Sequence, residues 1–367
     1  MTAHGSRSPS ADSHEPEGGL RPVAAPSDGS APRDRAAPGG ANAAGAAAAA
    51  VPVPSAASGD DDAAPRRVAV VTDSAAALPP SWLTVCTAAG GFALVDMPVL
   101  IGGQLHTEDE SDTLSSLVVA LAEGKPVTTS RPAPGALRAA YRRFEAEGFD
   151  AVVSVHLSGE LSGTVGAARI ARQEIGIPVR IVDTQSAGLG QGLAVRAALE
   201  AAASGAGIDD VAQAAREAAQ RAQVLIQVRS LETLRRGGRI NPTTAMVGSM
   251  LQIKPLLSLA EGKIVTVERP VSLEKARARF MVLVGEALAH AEVQRPVLCV
   301  HHVADANGAR EIGEVLLDRY RPEAELVISD LPPVLSAHVG LGTKAAVVEG
   351  PTSAPVWRGE RPSQPAP

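Results

Sequence analysis

Residues 151–171, AVVSVHLSGELSGTVGAARIA, decide the fold class. Ala151 to Leu157 is a short, Val-rich apolar run of the kind that forms a strand buried on both faces of a parallel sheet. It gives way to the small polar loop Ser158-Gly159-Glu160-Leu161-Ser162-Gly163-Thr164, and a helix follows to about Ile175. One such unit needs parallel neighbours, because its strand has two faces to cover.

The flanking sequence supplies them. Upstream, RRVAVVTDS (66–74) is an apolar strand ending in Thr72-Asp73-Ser74, and AAALPPSWL continues as a turn or short helix. FALVDMPVLIGGQLHTED (92–109) reads as two short strands joined at Gly102-Gly103. A helix from Ser111 to Glu123 leads to PVTTS (126–130), read as a further strand that runs into Ser130. The next helix turns Leu137, Tyr141 and Phe144 inward and stops at Gly148. Downstream, VRIVDTQSAGLGQG (179–192) is a strand, a Gly-rich loop and the start of a helix to about Ala203. Alternating strands and helices imply a parallel sheet with ligands outside the carboxyl ends of its strands, where Asp73, Ser74, Ser130, Ser158, Ser162 and Asp183 fall.

The second half differs. An Ala-rich helix from Asp209 to Arg221 precedes the strand QVLIQV, then two short helices broken at Gly237-Gly238. A hairpin turns at Glu261-Gly262, and helix, strand, helix and strand follow. The expected organisation is a disordered Ala/Pro/Gly-rich extension over 1–65, an α/β domain over 66–221, a smaller α+β domain over 222–349 and a mobile tail over 350–367. The extension holds no Ile, Phe, Tyr or Trp and a single Leu, so it has little apolar surface to offset the entropy of ordering.

Composition narrows the function. A net charge of −6 and only 2% aromatic residues argue against nucleic-acid binding by a basic or stacking surface. No run of 18 apolar residues offers a membrane span. Cys86 and Cys299 stand far apart in apolar surroundings, which reads as free buried thiols in a reducing compartment, and the expected location is the cytoplasm. His301 and His302 are adjacent, a spacing that suits no common zinc site, and no metal or cofactor is expected. His156 alternates along its strand as a packed histidine would.

Hydroxyl groups at strand ends are the chemically suggestive feature. Ser162-Gly163-Thr164 sits where a strand gives way to a helix, whose free N–H groups suit a carboxylate or phosphate. Capping of the helix by Ser162 or Thr164 fits the same spacing. Thr129-Ser130 carries the same pair of readings, and in consecutive β-α units the two hydroxyl clusters would be neighbours around one small anion. Arg239 follows Gly237-Gly238, which turns the backbone and directs the guanidinium outward, either to an anion or to solvent. His338 precedes two glycines in HVGLGT, read as a loop open to close approach. Ser162 as nucleophile, His338 as base and an Asp to orient it would make an acyl or phosphate-ester hydrolase. No G-x-S-x-G elbow surrounds the serines.

Seven stretches in order resemble the DegV family of lipid-binding proteins from about Val68 to Val348: VTDSAAALP (71–79), VTTSRPAPG (127–135), LSGELSGTVGAARIA (157–171), IVDTQSAGLGQG (181–192), LETLRRGGRI (231–240), MLQIKPLLSLAEGKI (250–264) and AHVGLGT (337–343). The resemblance implies a two-domain α/β protein that buries a long-chain fatty acid. It implies that Thr129, Ser130, Ser162, Gly163 and His338 surround the carboxylate, with Arg239 placed for a phosphate or a partner. Asp73, Ser74, Ser158, Thr164 and Asp183 would support the loops. The family role it implies is that of a carrier, not an enzyme: a separate dihydroxyacetone-kinase-like subunit phosphorylates the bound acyl group. Gly159, Thr184, Gly188 and Leu341 depart from residues common in the family.

Overall fold

The computed structural model describes residues 66–107, 112–240 and 253–350. The N-terminal extension, the C-terminal tail from residue 351 and the second of the two short helices expected around Gly237-Gly238 lie outside the described residues.

The chain runs β1 (Val68–Asp73), α1 (Pro80–Ala88), β2 (Phe92–Val95), β3 (Val99–Ile101), β4 (Gln104–His106), α2 (Thr113–Ala122), β5 (Val127–Thr129), α3 (Pro134–Ala146), β6 (Ala151–His156), α4 (Thr164–Ala171), β7 (Val179–Asp183), α5 (Leu189–Ala203) and α6 (Ile208–Arg221). It continues with β8 (Ala222–Gln227), α7 (Glu232–Arg236), β9 (Leu256–Ala260), β10 (Lys263–Glu268), α8 (Leu273–Ala289), β11 (Val297–His302), α9 (Ala306–Tyr320), β12 (Glu325–Asp330), α10 (Pro333–Val339) and β13 (Lys344–Glu349).

Residues 151–171 behave as their composition requires. β6 pairs in parallel with β1 and β7, in a four-stranded sheet ordered β2-β1-β6-β7. Alternate residues feed the two faces. Ala69, Val71 and Val152 pack with Leu137, Tyr141 and Phe144 of α3 and Ala167, Ala168 and Ala171 of α4. Val68, Val70, Val153 and Val155 pack with the small residues of α5 and α6, among them Ala194, Ala198, Ala212 and Ala215. The Ala-rich composition lets these helices approach the sheet closely and fill its surface without aromatic side chains.

Two expectations are corrected. FALVDMPVLIGGQLH holds three strands rather than two, because Asp96-Met97-Pro98 interrupts the run; β2 joins the parallel sheet while β3 and β4 form a hairpin at Gly102-Gly103. PVTTS is not a member of the parallel sheet. β5 pairs antiparallel with β3 in a separate three-stranded sheet ordered β4-β3-β5. A three-residue strand carries too little pattern to declare its partner.

The six strands from β8 onward form a mixed sheet ordered β10-β9-β8-β13-β11-β12. Leu225, Leu298, Val300, Ala346 and Val348 face α8 and α9. The opposite residues, including Val224, Ile226, Ala345 and Val347, turn toward Leu189 and Leu193 of α5 and Leu234 of α7. The small sheet packs Val99 and Ile101 against Leu117 of α2 and Val334 and Ala337 of α10. Through α10, which also touches α7, the small sheet is tied to the six-stranded one.

Candidate functional site: an apolar cavity with a polar mouth

Between the six-stranded sheet and the loops of the parallel sheet lies a cavity lined by residues of both. Val224, Ile226, Ala345 and Val347 line its floor, Leu259 and Ile264 of the β9–β10 hairpin one wall, and Leu234, Val334, Leu335 and Val339 another. Strand alternation explains the floor: the residues lining it are those whose neighbours face α8 and α9 on the other side.

Polar groups gather at one end. Thr129 Oγ1 and His338 Nε2 lie 2.8 Å apart, brought together because α10 packs on the sheet that carries Thr129. His338 is not in a loop, as its two following glycines led one to expect. Pro333 starts α10, and Gly340, with φ 81°, ends it, so the imidazole stands on the last turn. Gly237 sits against that ring: a Cβ there would collide with His338 Nδ1, so the close approach requires glycine. Burial, reinforced by the Arg239 charge, lowers the His338 pKa to about 4 and keeps the ring neutral near pH 7.

Ser162 Oγ bonds to Thr164 Oγ1 at 2.8 Å, and neither hydroxyl caps α4, whose N-cap is Gly163 without a side-chain bond. Ser130 is no cap either: α3 begins after Ala133, and the Ser130 hydroxyl donates to Arg131 O at 3.1 Å. The capping reading fails for these serines. Arg239 does not point outward. It folds back, half-buried, donating from Nε to Leu161 O at 3.0 Å and from Nη1 to Gly237 O. Thr129, Ser130, Ser162, Arg239 and His338 all line the cavity.

The supporting residues stand behind the mouth. Asp73 is fully buried and accepts from Ala75 N at 3.1 Å, Leu157 N at 3.3 Å and Gln191 Nε2 at 3.1 Å, while its Oδ2 lies 2.8 Å from His156 Nδ1. The same carboxylate therefore joins the ends of β1 and β6 to the first turn of α5. Ser74 Oγ accepts Met97 N–H at 3.0 Å. Asp183 accepts the N–H groups of Gly159 and Gln185 at 3.1 and 3.0 Å. Ser158 Oγ donates to Gly262 O at 2.7 Å and so ties the mouth loop to the β9–β10 turn.

Among the described residues no hydrolytic triad is assembled at the mouth. Ser162 is engaged with Thr164, and no carboxylate among the described residues pairs with His338. Among the described residues no group of three or more His, Cys, Asp or Glu could hold a metal ion. No helix of the described residues is long and apolar enough to cross a membrane. Cys299 is buried and Cys86 half-buried, both as free thiols.

Three residues of the candidate site escaped sequence reasoning. Arg131 lines the mouth, although it stands inside a stretch notable for its hydroxyls. Gly237 gives clearance to His338, which only the fold reveals. His301 lines the cavity wall, where Nε2 accepts Leu189 N–H at 2.9 Å and burial lowers its pKa to about 4. Its outward signal was only adjacency to His302.

A family model described as "Uncharacterised protein, DegV family" matches residues 67–350. A DegV domain-containing protein of Streptomyces coelicolor is 38% identical over 258 residues, which span 70% of this chain and 91% of that protein. One from Mycobacterium tuberculosis is 40% identical over 234 residues, 62% of this chain and 81% of its own. Among solved structures, a DegV family protein from Thermus thermophilus described for its fatty acid binding matches with a TM-score of 0.69 at 31% identity, over 77% of this chain and 99% of that one. DegV of Bacillus subtilis, described as a fatty acid binding protein, matches with a TM-score of 0.69 at 26% identity, over 78% and 100% of the two chains.

Proposed function

The chain belongs to the DegV family, and from that premise we propose that it binds a long-chain fatty acid in the apolar cavity, with the carboxylate at the polar mouth. The observation that carries the reading is the character of the lining: largely aliphatic along the floor and walls, with the buried His301 the exception there, and hydroxyls, a neutral imidazole and guanidinium groups gathered at the other end. Burying roughly 14 methylenes at about 0.8 kcal/mol each amounts to a gross transfer on the order of 11 kcal/mol. Hydrogen bonds to a charged carboxylate add about 1.5–3 kcal/mol each, and ordering the lipid subtracts several. The tail supplies most of the affinity, while Thr129, Ser130, Ser162 and His338 decide which end faces out.

Presentation of that end to a separate dihydroxyacetone-kinase-like subunit is the second half of the proposal. It is supported by the family resemblance of the motifs and by a mouth in which no nucleophile–base–acid set is assembled among the described residues. In this role the chain is a cytoplasmic carrier, and the phosphoryl transfer belongs to its partner.

The test is denaturing mass spectrometry of an organic extract from protein purified without added lipid. A near-stoichiometric fatty acid is expected, and its mass reports the preferred chain. An empty protein that stays empty after incubation with a fatty acid mixture would sink the carrier reading. Acyl phosphate formation on adding the kinase subunit and ATP tests the second half.

A further inference from the structure

The cavity wall formed by the β9–β10 hairpin is attached differently from the floor beside it. β9 pairs with β8 through Leu256, Leu257 and Ser258, whereas its pairing with β10 continues to Ala260 and Lys263. The Ser258 hydroxyl donates to Val224 O at 2.8 Å, at the point where β8 and β9 part. Val224 on one side of that split and Leu259 on the other both line the cavity. β10 stands at the edge of the sheet, so the end of the hairpin overhangs it. The tip is nonetheless pinned. A hairpin turn ordinarily lies on the surface, yet Gly262 is buried. Ser158 Oγ, on a fully buried residue, donates to Gly262 O at 2.7 Å. Lys263 Nζ lies 3.6 Å from Glu160 Oε2, but both groups are exposed and such a pair adds little. The loop that receives the tip is anchored from behind, with Ser158 N–H donating to Ser186 O at 2.8 Å and Asp183 accepting from Gly159 and Gln185.

We propose that the β9–β10 hairpin is a flap that swings about Ser258 to admit and release a lipid tail from the side, and that the Ser158–Gly262 hydrogen bond latches it shut. The inference rests on the lipid-binding reading and adds the route of exchange. Glu261 and Gly262 have φ of 51° and 78°, the pair of left-handed residues that a tight two-residue turn needs. The overhang is therefore stiff and moves as one piece. Opening breaks the latch and lifts Leu259 and Ile264 from the apolar cluster they pack on. A tail lying in the gap covers those same faces, which offsets the loss. A tail threaded through the polar end would instead run past Thr129, His338 and Arg239, which are held by hydrogen bonds.

The experiment times the release of radiolabelled oleate from the loaded, full-length protein into excess albumin. Ser158→Ala, which removes the latch, should release oleate roughly fivefold faster, the kinetic equivalent of one hydrogen bond. A second variant replaces the latch with a covalent one. A Cβ on Gly262 would stand 3.4 Å from the Gln185 Cβ, close to the roughly 3.5–4.5 Å spanned in a disulfide. It would also collide with Ser158 Oγ, an atom that Ser158→Ala takes away. The triple variant Ser158→Ala, Gln185→Cys, Gly262→Cys should release oleate quickly when reduced. Oxidised with diamide, it should hold oleate more than about tenfold longer, because the cross-link does not reopen without a thiol. Dithiothreitol should restore fast release, and wild type treated in the same way is the control. Slow release from the oxidised form would assign the effect to the hairpin tip rather than to the other bond of Ser158 Oγ, which accepts Glu160 N–H at 3.2 Å. A disulfide verified by mass that leaves release unchanged would overturn the flap, and the tail would then pass through the polar end. Release from Ser158→Ala at the wild-type rate would overturn the latch. Wild-type protein that takes up no oleate would overturn the lipid reading instead.

Discussion

Two histidines of this chain keep opposite company. His156 lies within a fully buried chain of groups, with Asp73 2.8 Å from one ring nitrogen, Ser154 Oγ 2.7 Å from the other, and Tyr141 OH 2.7 Å from that hydroxyl. His338 lines the cavity with a hydroxyl partner and a nearby arginine, but no carboxylate among the described residues. The set with the ingredients of a Ser-His-Asp relay is sealed between α3 and the parallel sheet, and the set that meets the cavity lacks the acid. Ingredients alone therefore mislead. Access separates a sealed histidine from one that lines a cavity, and access is a property of the fold.

The comparison breaks most visibly at Asp73. Asp73→Ala would strand the N–H groups of Ala75 and Leu157, the Gln191 amide and the His156 ring without their acceptor. Removing one partner of a buried charged network costs about 3–5 kcal/mol, and urea unfolding should show it as a shifted midpoint. If Asp73→Ala were as stable as the wild type but could not bind oleate, the buried set would have to be functional and the contrast would fail. At the mouth, Gly237→Ala should act on the ligand rather than on the fold. Its backbone, with φ −73°, accepts alanine, but the new methyl group would meet the His338 ring. Displacing the imidazole from the head group should weaken oleate binding about tenfold, the equivalent of one hydrogen bond to a charged group. Unchanged oleate affinity would remove His338 from the site.

Much of this was legible beforehand, for identifiable reasons. The alternation of Val-rich runs with helices declared the parallel sheet, because a strand buried on both faces leaves a continuous apolar signature, as at Val68–Val71 and Ala151–Val155. The hydroxyls, Arg239 and His338 could be picked out because their motifs recur in one order. What the sequence could not supply was partnership. Thr129 meets His338 across 209 positions through a small antiparallel sheet that no periodicity announces. Arg239 turns inward because Leu161 O and Gly237 O receive it, and neither acceptor is a sequence feature. Gly237 was legible as a helix terminator, while its second task, leaving space for an imidazole, depends on where α10 packs.

The finest test of the contrast uses pH. Burial lowers the pKa of both His338 and His301 to about 4, from an ordinary value near 6.5. A histidine whose folded pKa is depressed takes up its proton in the unfolded chain first, so acid favours unfolding. Between about pH 6.5 and 4 each of these rings should therefore contribute a loss of stability approaching 1.4 kcal/mol per pH unit, and above that window neither contributes. The two rings differ in the secondary cause. The Arg239 charge helps to hold His338 down, whereas His301 sits beside His302 and against Ser329 O. Arg239→Gln should accordingly raise the His338 pKa and shallow the acid slope without reaching that of His301. Urea midpoints measured from pH 7 to pH 4.5, for the wild type and for Arg239→Gln, would show this as a flatter line at the acid end. Parallel slopes would mean that the Arg239 guanidinium does not act on the His338 ring in solution, and the electrostatic link drawn at the mouth would have to be withdrawn.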